Sequence, residues 1–297
     1  MGRRCFRASP ERAGTKWRRA QGSVGRCGVA GDDTGELYGE PALYELAFSY
    51  RDIAAEVDVL EGWHERRRGK KPRRVLELAA GPAAHALEFA RRGAAAAALD
   101  VSPAMCSYAE RRADEEGVSL HVVEGDMVRF RIPRRRFDLA LVMLDSASHI
   151  LGLDAMVTHL RTVGAQLVPG GLYVMETSHP ADFLAGSPKT QDRWRLARNG
   201  KRVDVRFTSP LAGFDPATQI WNCRISVKVT EEGRTQVWRD RMALRRWTAT
   251  ELDAAARLAG NVRVVERHGS FDVDAPFGAG DPSEWRMISI LERASGA

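Results

Sequence analysis

Small residues and a carboxylate stand at a spacing suited to binding a nucleoside. The run VLELAAGPAAHALEFARRG at 75–93 predicts an apolar strand, a turn of small residues around Gly81 and then a helix. Gly81 keeps side chains away from the place where a ligand must approach the backbone. Asp100 ends the next apolar run, 19 residues later, where a carboxylate can accept hydrogen bonds from both ribose hydroxyls. The spacing therefore predicts a nucleoside site beyond the first strand.

Further acids indicate which nucleoside this is. Gly81, Ala83 and Ala86 satisfy the loose form of G-x-G-x-x-G that is also found in dinucleotide sites. Glu77 within the first strand and Asp126 after the third argue against a pyrophosphate, as does the late pair of strands predicted beyond an antiparallel stretch. A ligand with a sulfonium, an amino group, a ribose and an adenine suits several carboxylates, and this description favours S-adenosylmethionine.

Predicted strands and helices alternate over most of the chain. Apolar residues at helical spacing predict helical structure from about 38 to 65, and apolar runs predict strands at 75–79, 94–100, 120–126 and 137–145. The run PGGLYVMET at 169–177 predicts a turn followed by a fifth strand. Ser102 before Pro103, and Thr248 with Glu251 at capping-box spacing, mark two helix starts. Alternating residues at 201–247 predict antiparallel strands, one pair of them joined at 231–233, and two final strands follow a helix.

This order predicts an α/β fold. We expect a doubly wound, mostly parallel seven-stranded sheet with an antiparallel β insert after strand five. The predicted division is a disordered basic tail at 1–33, an N-terminal helical lid at 34–70, a cofactor-binding α/β domain at 71–183 and 248–297, and a β-rich insert at 184–247.

The formal net charge of +6 is concentrated at the start of the chain. Residues 1–30 hold eight Lys or Arg and one acid, so the remaining 267 residues carry about −1. Because the tail is rich in Arg, Gly and Ser without a hydrophobic period, we expect it to be disordered. A nucleic-acid arm, a mitochondrial presequence and a plain solvated start stay open as interpretations.

Composition favours a cytoplasmic protein without a membrane partner. The 6 lysines against 39 arginines suggest a GC-rich bacterial genome. No stretch approaches the roughly 18 apolar residues that a membrane-spanning helix needs. Four scattered cysteines with no CxxC pair argue against disulfides and against a zinc or other metal site.

Taken together, the motifs resemble those of the class I S-adenosylmethionine-dependent methyltransferases. The resemblance covers about 70–180, from VLELAAGPAAHALEFARRG through ALDVSPAMCSYA, VVEGDM and FDLALVMLDSASHIL to LVPGGLYVMETSHP. The C-terminal portion is similar, more loosely, to small-molecule members with a β insert, such as the amino-sugar N-methyltransferases. The resemblance implies S-adenosylmethionine as the cofactor and a small-molecule acceptor.

The resemblance also implies a loop that holds the methionine end of the cofactor. Carried over by position, this loop consists of Glu77, Ala79, Gly81 and Ala83. Ala79 and Ala83 stand where many members have glycine, and alanine is tolerated there as long as φ stays negative. Glu77 has a second interpretation, as a buried carboxylate that orients the loop.

Ribose and adenine contacts are implied further along the chain. Asp100 holds the ribose, with Val101 and Met105 against the adenine, whose amino group and ring edge are read by Asp126 and the backbone of Met127. Each acid also has a structural alternative. Asp100 could stabilise the start of a helix, and Asp126 could be an ordinary turn residue.

Contacts to the methionyl group come from two other places. The resemblance implies that Leu144 offers its backbone carbonyl to the amine. Tyr44, Tyr50 and Arg51 lie on N-terminal helices that fold over the cofactor in this family, and Tyr50 and Arg51 are the candidates for its carboxylate. Surface packing is the alternative role for these side chains.

Two histidines are candidates for proton transfer. His149 and His179 follow the fourth and fifth predicted strands, and either could accept a proton from a substrate N–H or O–H near neutral pH. Capping a turn or contacting the cofactor's carboxylate are the alternatives. The aromatic residues of the predicted insert could line an acceptor pocket, pack the insert on the sheet or form a homodimer face: Trp194, Phe207, Phe214 and Trp221.

The resulting functional hypothesis is methyl transfer to nitrogen or oxygen of a small molecule, as in natural-product biosynthesis. A protein of the same fold that binds S-adenosylmethionine without methylating is the second hypothesis, suggested by the alanines of the loop. An RNA methyltransferase is the third. Two features argue against nucleic acid as the partner. The chain after residue 30 is nearly neutral, and the Asn/Asp-Pro-Pro-aromatic motif is replaced by Asp145-Ser146-Ala147-Ser148.

Overall fold

A computed structural model describes most of the chain. The described residues are 37–184, 192–208, 213–272, 274, 276–278 and 284–294, and they all belong to one compact unit, Asp33–Ala297. The tail predicted at 1–33 lies outside the described residues.

The main sheet has seven strands, as the sequence predicts. Its strands are β1 (Arg74–Leu78), β2 (Ala95–Asp100), β3 (Leu120–Glu124), β4 (Phe137–Val142), β5 (Leu167–Ser178), β11 (Val262–His268) and β12 (Arg286–Arg293). They lie in the order β11-β12-β5-β4-β1-β2-β3, and the five strands from β5 to β3 are parallel, while β12 and β11 are antiparallel to their neighbours. The predicted α/β fold is confirmed, and the strand order reverses direction between β1 and β4.

Helices cover both faces of this sheet. They are α1 (Pro41–Ala47), α2 (Ile53–Arg68), α3 (Ala84–Arg91), α4 (Pro103–Glu116), α5 (Leu153–Gln166), α6 (Ala181–Leu184) and α7 (Ala249–Ala259), with short 3-10 helices at Leu37–Gly39 and Ser146–His149. Alternate strand residues face opposite sides, so Val75 packs in the core with α2 while Leu76 packs with α5 and α7.

Several helix signals in the sequence are confirmed by the caps. The Ser102 hydroxyl accepts from the Met105 N–H, and Thr248 and Glu251 form a full capping box. The helical spacing at 38–65 corresponds to two helices, α1 and α2. It is interrupted at 48–52, because the Asp52 side chain accepts from the Ala55 N–H and begins α2 there.

The insert after β5 is a second, antiparallel sheet. Its strands are β6 (Arg193–Arg198), β7 (Lys201–Thr208), β8 (Phe214–Asp215), β9 (Ile220–Glu231) and β10 (Arg234–Arg245). Val205, Ile225 and Val227 of its inner face pack against Leu37 and Ala47 of the N-terminal segment. The sheet therefore stands beside the N-terminal helices and closes one side of the main sheet's strand ends.

Turn geometry joins the strands of this second sheet. The predicted β9–β10 hairpin turns at Glu232 and Gly233, which both have positive φ. Strand β6 was not predicted, although Asn199-Gly200 is a strong hairpin signal and both residues have positive φ.

The described residues were also inspected for membrane-spanning helices and for clusters of metal-binding side chains. None of its helices is long and apolar enough to cross a membrane. Within the same residues, no group of three or more His, Cys, Asp or Glu is placed to hold a metal ion.

Candidate active site

A large cavity lies where the two sheets meet. Its volume is about 1040 Å³, which is at the upper end of the range for small-molecule sites, roughly 300–1000 Å³. One end is lined by residues that follow β1, β2, β3 and β4, at the point where the strand order reverses. Open α/β sheets bind their ligands at this point. The other end is lined by the second sheet.

The turn after β1 is built on left-handed backbone. Ala79, Gly81 and Ala83 have φ angles of 47°, 52° and 58°. The condition of negative φ is therefore not met at the two alanines, and both hold a conformation that is normally favourable only for glycine. Ala79 and Gly81 line the cavity, whereas Ala83 is fully buried at the N-terminus of α3.

Asp100 connects this turn to the end of β2. Its Oδ2 accepts from the Gly81 N–H at 2.7 Å, and its Oδ1 accepts from the Ser102 N–H at 2.9 Å. A carboxylate can accept about four hydrogen bonds, so these two leave capacity for a pair of ligand hydroxyls. Burial raises the pKa of Asp100, which the N–H bonds partly oppose. The remaining acceptor capacity of this carboxylate fits the two hydroxyls of a ribose.

The residues expected near the adenine line the same end of the cavity. Val101 is 71% exposed and offers a free apolar surface, whereas Met105 is only 1% exposed and is tightly packed at the cavity lining. Asp126 and Met127 line the cavity after β3, and the Asp126 carboxylate accepts from the Val128 N–H at 2.8 Å. This arrangement provides a slot with an apolar wall and a polar edge.

A buried histidine fixes the backbone at Met127. His159 Nδ1 lies 2.8 Å from the Met127 carbonyl oxygen, and its Nε2 lies 2.6 Å from the Tyr173 hydroxyl. Burial lowers the pKa of His159 to about 4, so the ring is neutral and its Nδ1–H donates to the carbonyl. The carbonyl is therefore engaged, and the Met127 N–H is the backbone group that remains to read a ring edge.

Glu77 and Arg51 lie outside the cavity lining, in a buried chain of alternating charges. Glu77 Oε1 lies 3.1 Å from His85 Nδ1, and His85 Nε2 lies 2.8 Å from Glu56 Oε2. Arg51 then joins Glu56, at 2.6 Å, to Glu176, at 2.9 Å. Burial disfavours a charged His85, but hydrogen bonds to Glu56 and Glu77 outweigh it and raise its pKa to about 9.

This charge chain supports the turn after β1 from behind, and only Arg286 at its end lines the cavity. Glu77 also accepts from the Ala86 N–H at 2.8 Å, so it orients the first turn of α3. Glu176 is fully buried, accepts from the Leu144 N–H at 2.9 Å and pairs with Arg286 at 3.1 Å. Leu144, which has a φ of 55°, lines the cavity at the end of β4.

His149 and Tyr38 stand together in the cavity. The Tyr38 hydroxyl lies 3.4 Å from His149 Nε2, and the two rings meet edge to face. The His149 ring faces the cavity, and its withdrawal from bulk water lowers its pKa, although Asp145 and Asp100 act in the opposite direction. His149 is therefore neutral near pH 7 and can accept a proton. Tyr38 was not singled out from the sequence.

His179 does not line the cavity. Its Nδ1 accepts from the Ala181 N–H at 3.0 Å, and its Nε2 faces Glu284 Oε1 at 3.6 Å. The ring also packs beside Phe277. The structure therefore places His179 in a turn, which was the alternative to proton transfer.

A polar cluster that was not predicted from the sequence also lines the cavity. Asp145 accepts from the Ser178 N–H at 2.9 Å and from the Ser178 hydroxyl at 2.6 Å, and it pairs with Arg246 at 2.8 Å. The Arg246 guanidinium lies 4.3 Å from the centre of the Trp221 ring. Only the fold brings these residues together, since Arg246 lies 101 positions after Asp145.

Aromatic side chains form the far end of the cavity. Trp194, Phe207, Phe214 and Trp221 of the second sheet all line it, as do Tyr50 and Phe48 of the N-terminal segment. Of the three roles left open by the sequence, the structure places these rings at a pocket.

The fold is similar to that of class I Rossmann-like methyltransferases, and comparison with known proteins extends this similarity. Residues 75–171 match a family model described as a methyltransferase domain. The demethylmenaquinone methyltransferase of Tropheryma whipplei (strain Twist) is 32% identical over 133 residues, which is 43% of this chain and 52% of that protein. The chain thus spans about half the length of the curated relatives it matches.

Solved structures extend the fold comparison to most of the chain. An S-adenosylmethionine-dependent methyltransferase from Clostridium acetobutylicum ATCC 824 superposes with a TM-score of 0.69 at 14% identity, covering 85% of this chain and 96% of that one. CalS10 from Micromonospora echinaspora, an amino pentose methyltransferase with S-adenosylmethionine bound, gives 0.64 at 22%, covering 85% and 97%. The resemblance inferred from the sequence is confirmed, and S-adenosylmethionine is the cofactor it implies.

Proposed function

We propose that the protein is an S-adenosylmethionine-dependent methyltransferase that methylates nitrogen or oxygen of a small molecule, as in natural-product biosynthesis. One observation carries the proposal. A single cavity is lined at one end by the Gly81 turn, Asp100 and Asp126, and at the other end by His149, Tyr38 and the aromatic residues of the insert. Cofactor and acceptor would thus meet inside one enclosed space.

The geometry supports a mechanism that rests mainly on positioning. When bound, the cofactor supplies a methyl group on a positively charged sulfur. Asp100 and the Gly81 turn would hold the nucleoside, and the charge chain behind them fixes the turn. Alignment of an acceptor with the methyl group can supply much of the rate by itself.

His149 is the residue best placed to remove the acceptor's proton. Its neutral ring faces the cavity, and Tyr38 lies within reach of the same Nε2 atom. A neutral imidazole can accept a proton from an N–H or O–H as the methyl bond forms. The Tyr38 hydroxyl would orient the ring or the acceptor atom.

The similar proteins support a small-molecule acceptor. The name of the Tropheryma whipplei protein refers to demethylmenaquinone, and CalS10 is described as an amino pentose methyltransferase involved in calicheamicin biosynthesis. These descriptions concern those proteins, but both refer to small acceptors.

Isothermal titration with S-adenosylmethionine tests the proposal. We expect heat of binding with the wild type, a large loss of affinity for Asp100→Ala, and wild-type affinity for Asp114→Ala, an exposed acid on α4 that serves as control. Mass spectrometry of small-molecule libraries incubated with methyl-labelled cofactor then reports transfer. No heat with the wild type would contradict the proposal, as would binding without transfer to any acceptor.

A further inference from the structure

We infer that the outer face of the second sheet binds the phosphate backbone of a double-stranded nucleic acid. The outer face is the one that points away from the cavity and from the N-terminal segment. The inner face of the same sheet carries Trp194 and Phe207, which line the cavity. A duplex on the outer face would therefore not be the methyl acceptor, and the inference does not depend on the proposed methyl transfer.

The strands of this sheet sort their side chains by charge. Successive side chains of a strand point to opposite faces. On β9, Ile225 and Val227 are buried, whereas Arg224 and Lys228 are exposed. Through the strand register, β6 and β7 add exposed cations to the outer face: Arg193, Arg195, Arg202 and Arg206. Together with Arg239 and Arg241 of β10, the face has eight cations.

Acidic side chains are scarce on this face. Asp204 is its only acid among the described residues of the four strands, and it pairs with Arg193 at 2.8 Å and with Arg195 at 2.7 Å. Within the described part of the chain, Arg206, Arg224 and Lys228 have no acidic partner. The face therefore carries a net charge of +7, and most of this charge is not neutralised locally.

The near-neutral total charge of the chain after residue 30 hides this face. With its eight cations and one acid set apart, the remaining residues after 30 hold 29 basic and 37 acidic side chains. The charge is thus strongly segregated, and a polyanion is attracted to one face only. The sequence-based argument against nucleic acid used the total and could not detect this segregation.

The outer face offers almost no apolar surface. Its apolar side chains are Ala197 and the half-buried Val237, while the rings of Trp194, Phe207 and Trp238 pack on the inner side. Protein partners bind mainly through buried aromatic and aliphatic anchors, and single-stranded nucleic acids through stacking on aromatic rings. A duplex backbone needs only cations, and guanidinium groups match its phosphates well.

The dimensions of the face fit a duplex. Strands lie roughly 4.8 Å apart, so four of them span about 14 Å. A duplex carries one phosphate charge per roughly 1.7 Å of its axis, which gives about eight over that length. Neighbouring strands also twist by roughly 20–25°, so the face is curved. A groove of about 470 Å³ lies between Arg195, Arg202 and Lys228. A curved face can follow a rod, whereas a planar anionic bilayer would meet only part of it.

Fluorescence anisotropy with the full chain tests the inference. The probes are a labelled 24-base-pair DNA duplex and an RNA duplex of the same length, each titrated at several NaCl concentrations. We expect binding to at least one duplex, and the tighter of the two identifies the nucleic acid. Vesicles containing phosphatidylserine and polyglutamate are titrated alongside. Tighter binding to either of these than to both duplexes would overturn the inference, as would no binding to a duplex.

Matched triple variants locate the binding. The variant with Arg206→Gln, Arg224→Gln and Lys228→Gln should bind the duplex at least tenfold more weakly at 0.1 M NaCl. Its slope of log affinity against log salt should be shallower by about 2–3, because each phosphate contact contributes roughly 0.9. The control variant removes the same charge at exposed positions elsewhere: Lys70→Gln, Arg135→Gln and Arg257→Gln.

The control variant should lose less than threefold in affinity and keep the wild-type slope. Residues 1–30 are the same in every protein, so the contribution of their charge cancels in the comparison. Thermal unfolding checks that both triple variants are folded, and the single variant Arg224→Gln, with an expected slope change of about 0.9, gives a second measurement. Equal losses in the two triple variants would show that only net charge matters and would overturn the inference.

Discussion

The two ends of the cavity are built in opposite ways. The cofactor end consists of backbone groups and carboxylates at strand ends, held from behind by a buried chain of charges. The acceptor end consists of half-buried aromatic side chains on the second sheet and on the N-terminal segment. Under the proposed function, the cofactor, which is common to a whole class of enzymes, would be held by fixed geometry. The acceptor, which varies within the class, would be held by side-chain surface, which can change without disturbing the fold.

The largest expected effect follows from breaking the charge chain at Glu176. Glu176→Gln leaves Arg286 buried without its counter-charge and Arg51 paired with Glu56 alone, and losing one partner of a buried pair costs about 3–5 kcal/mol. Urea unfolding measures this loss. Phe214→Leu, at the acceptor end, should lower the free energy of unfolding much less. Equal losses of unfolding free energy in the two variants would contradict the contrast between the cofactor end and the acceptor end.

His85 should make the cofactor end sensitive to pH. Its pKa in the folded protein is about 9, above its ordinary value of 6.5, so its stabilising charge is fully present below pH 6.5 and lost as pH rises through 9. The free energy of unfolding should fall by at most about 3 kcal/mol across this window.

Matched variants separate His85 from other titrating groups. His85→Gln should remove that decline, and His121→Gln on β3 should retain it, because its lowered pKa keeps His121 neutral throughout the window. A decline that survives in His85→Gln would show that the ring is not charged in the folded protein.

His149 lies at the boundary between the two ends, and its effect should appear in turnover. His149→Gln should lower kcat about 100-fold, which is the low end for general bases, without changing affinity for S-adenosylmethionine. Because its pKa is lowered, the wild type should lose activity only as pH falls below the ordinary histidine range, and the variant should lack that acid limb. An unchanged kcat would mean that positioning alone drives the reaction.

The smallest expected effect concerns the strained alanines of the turn. Ala83→Gly should raise the free energy of unfolding by about 0.5–1 kcal/mol, because glycine adopts a φ of 58° without steric cost. Ala84→Gly, one position later inside α3, should lower it by a similar amount, since glycine is unfavourable in helices. Destabilisation by both substitutions would show that the turn is not strained.

The cofactor end could be predicted from the sequence because local spacing specifies it. Parallel strands bring their carboxyl ends to one edge, so Gly81, Asp100 and Asp126 meet there whatever the loops do. Spacing could not show on which side of the turn a carboxylate lies. Arg51 was therefore a candidate for the cofactor's carboxylate, and Glu77 was left open between a cofactor contact and a buried support of the loop. The structure has both residues in the charge chain behind the turn.

The acceptor end could not be assembled in the same way. Tyr38, Asp145 and Arg246 come from three distant segments, and only the packing of the second sheet against the N-terminal helices brings them to one cavity. The aromatic residues of the insert were recognised as a group, but their period-two pattern fits pocket, core and dimer face equally well. Which face of a sheet is covered depends on tertiary packing.

A crystal structure with S-adenosylhomocysteine tests the central claim most directly. We expect ribose hydroxyls within hydrogen-bond distance of Asp100, adenine beside Val101 and Met105, and the sulfur in the part of the cavity that His149 and Tyr38 line. Crystals that stay empty under saturating ligand, or a sulfur far from His149 and Tyr38, would contradict it.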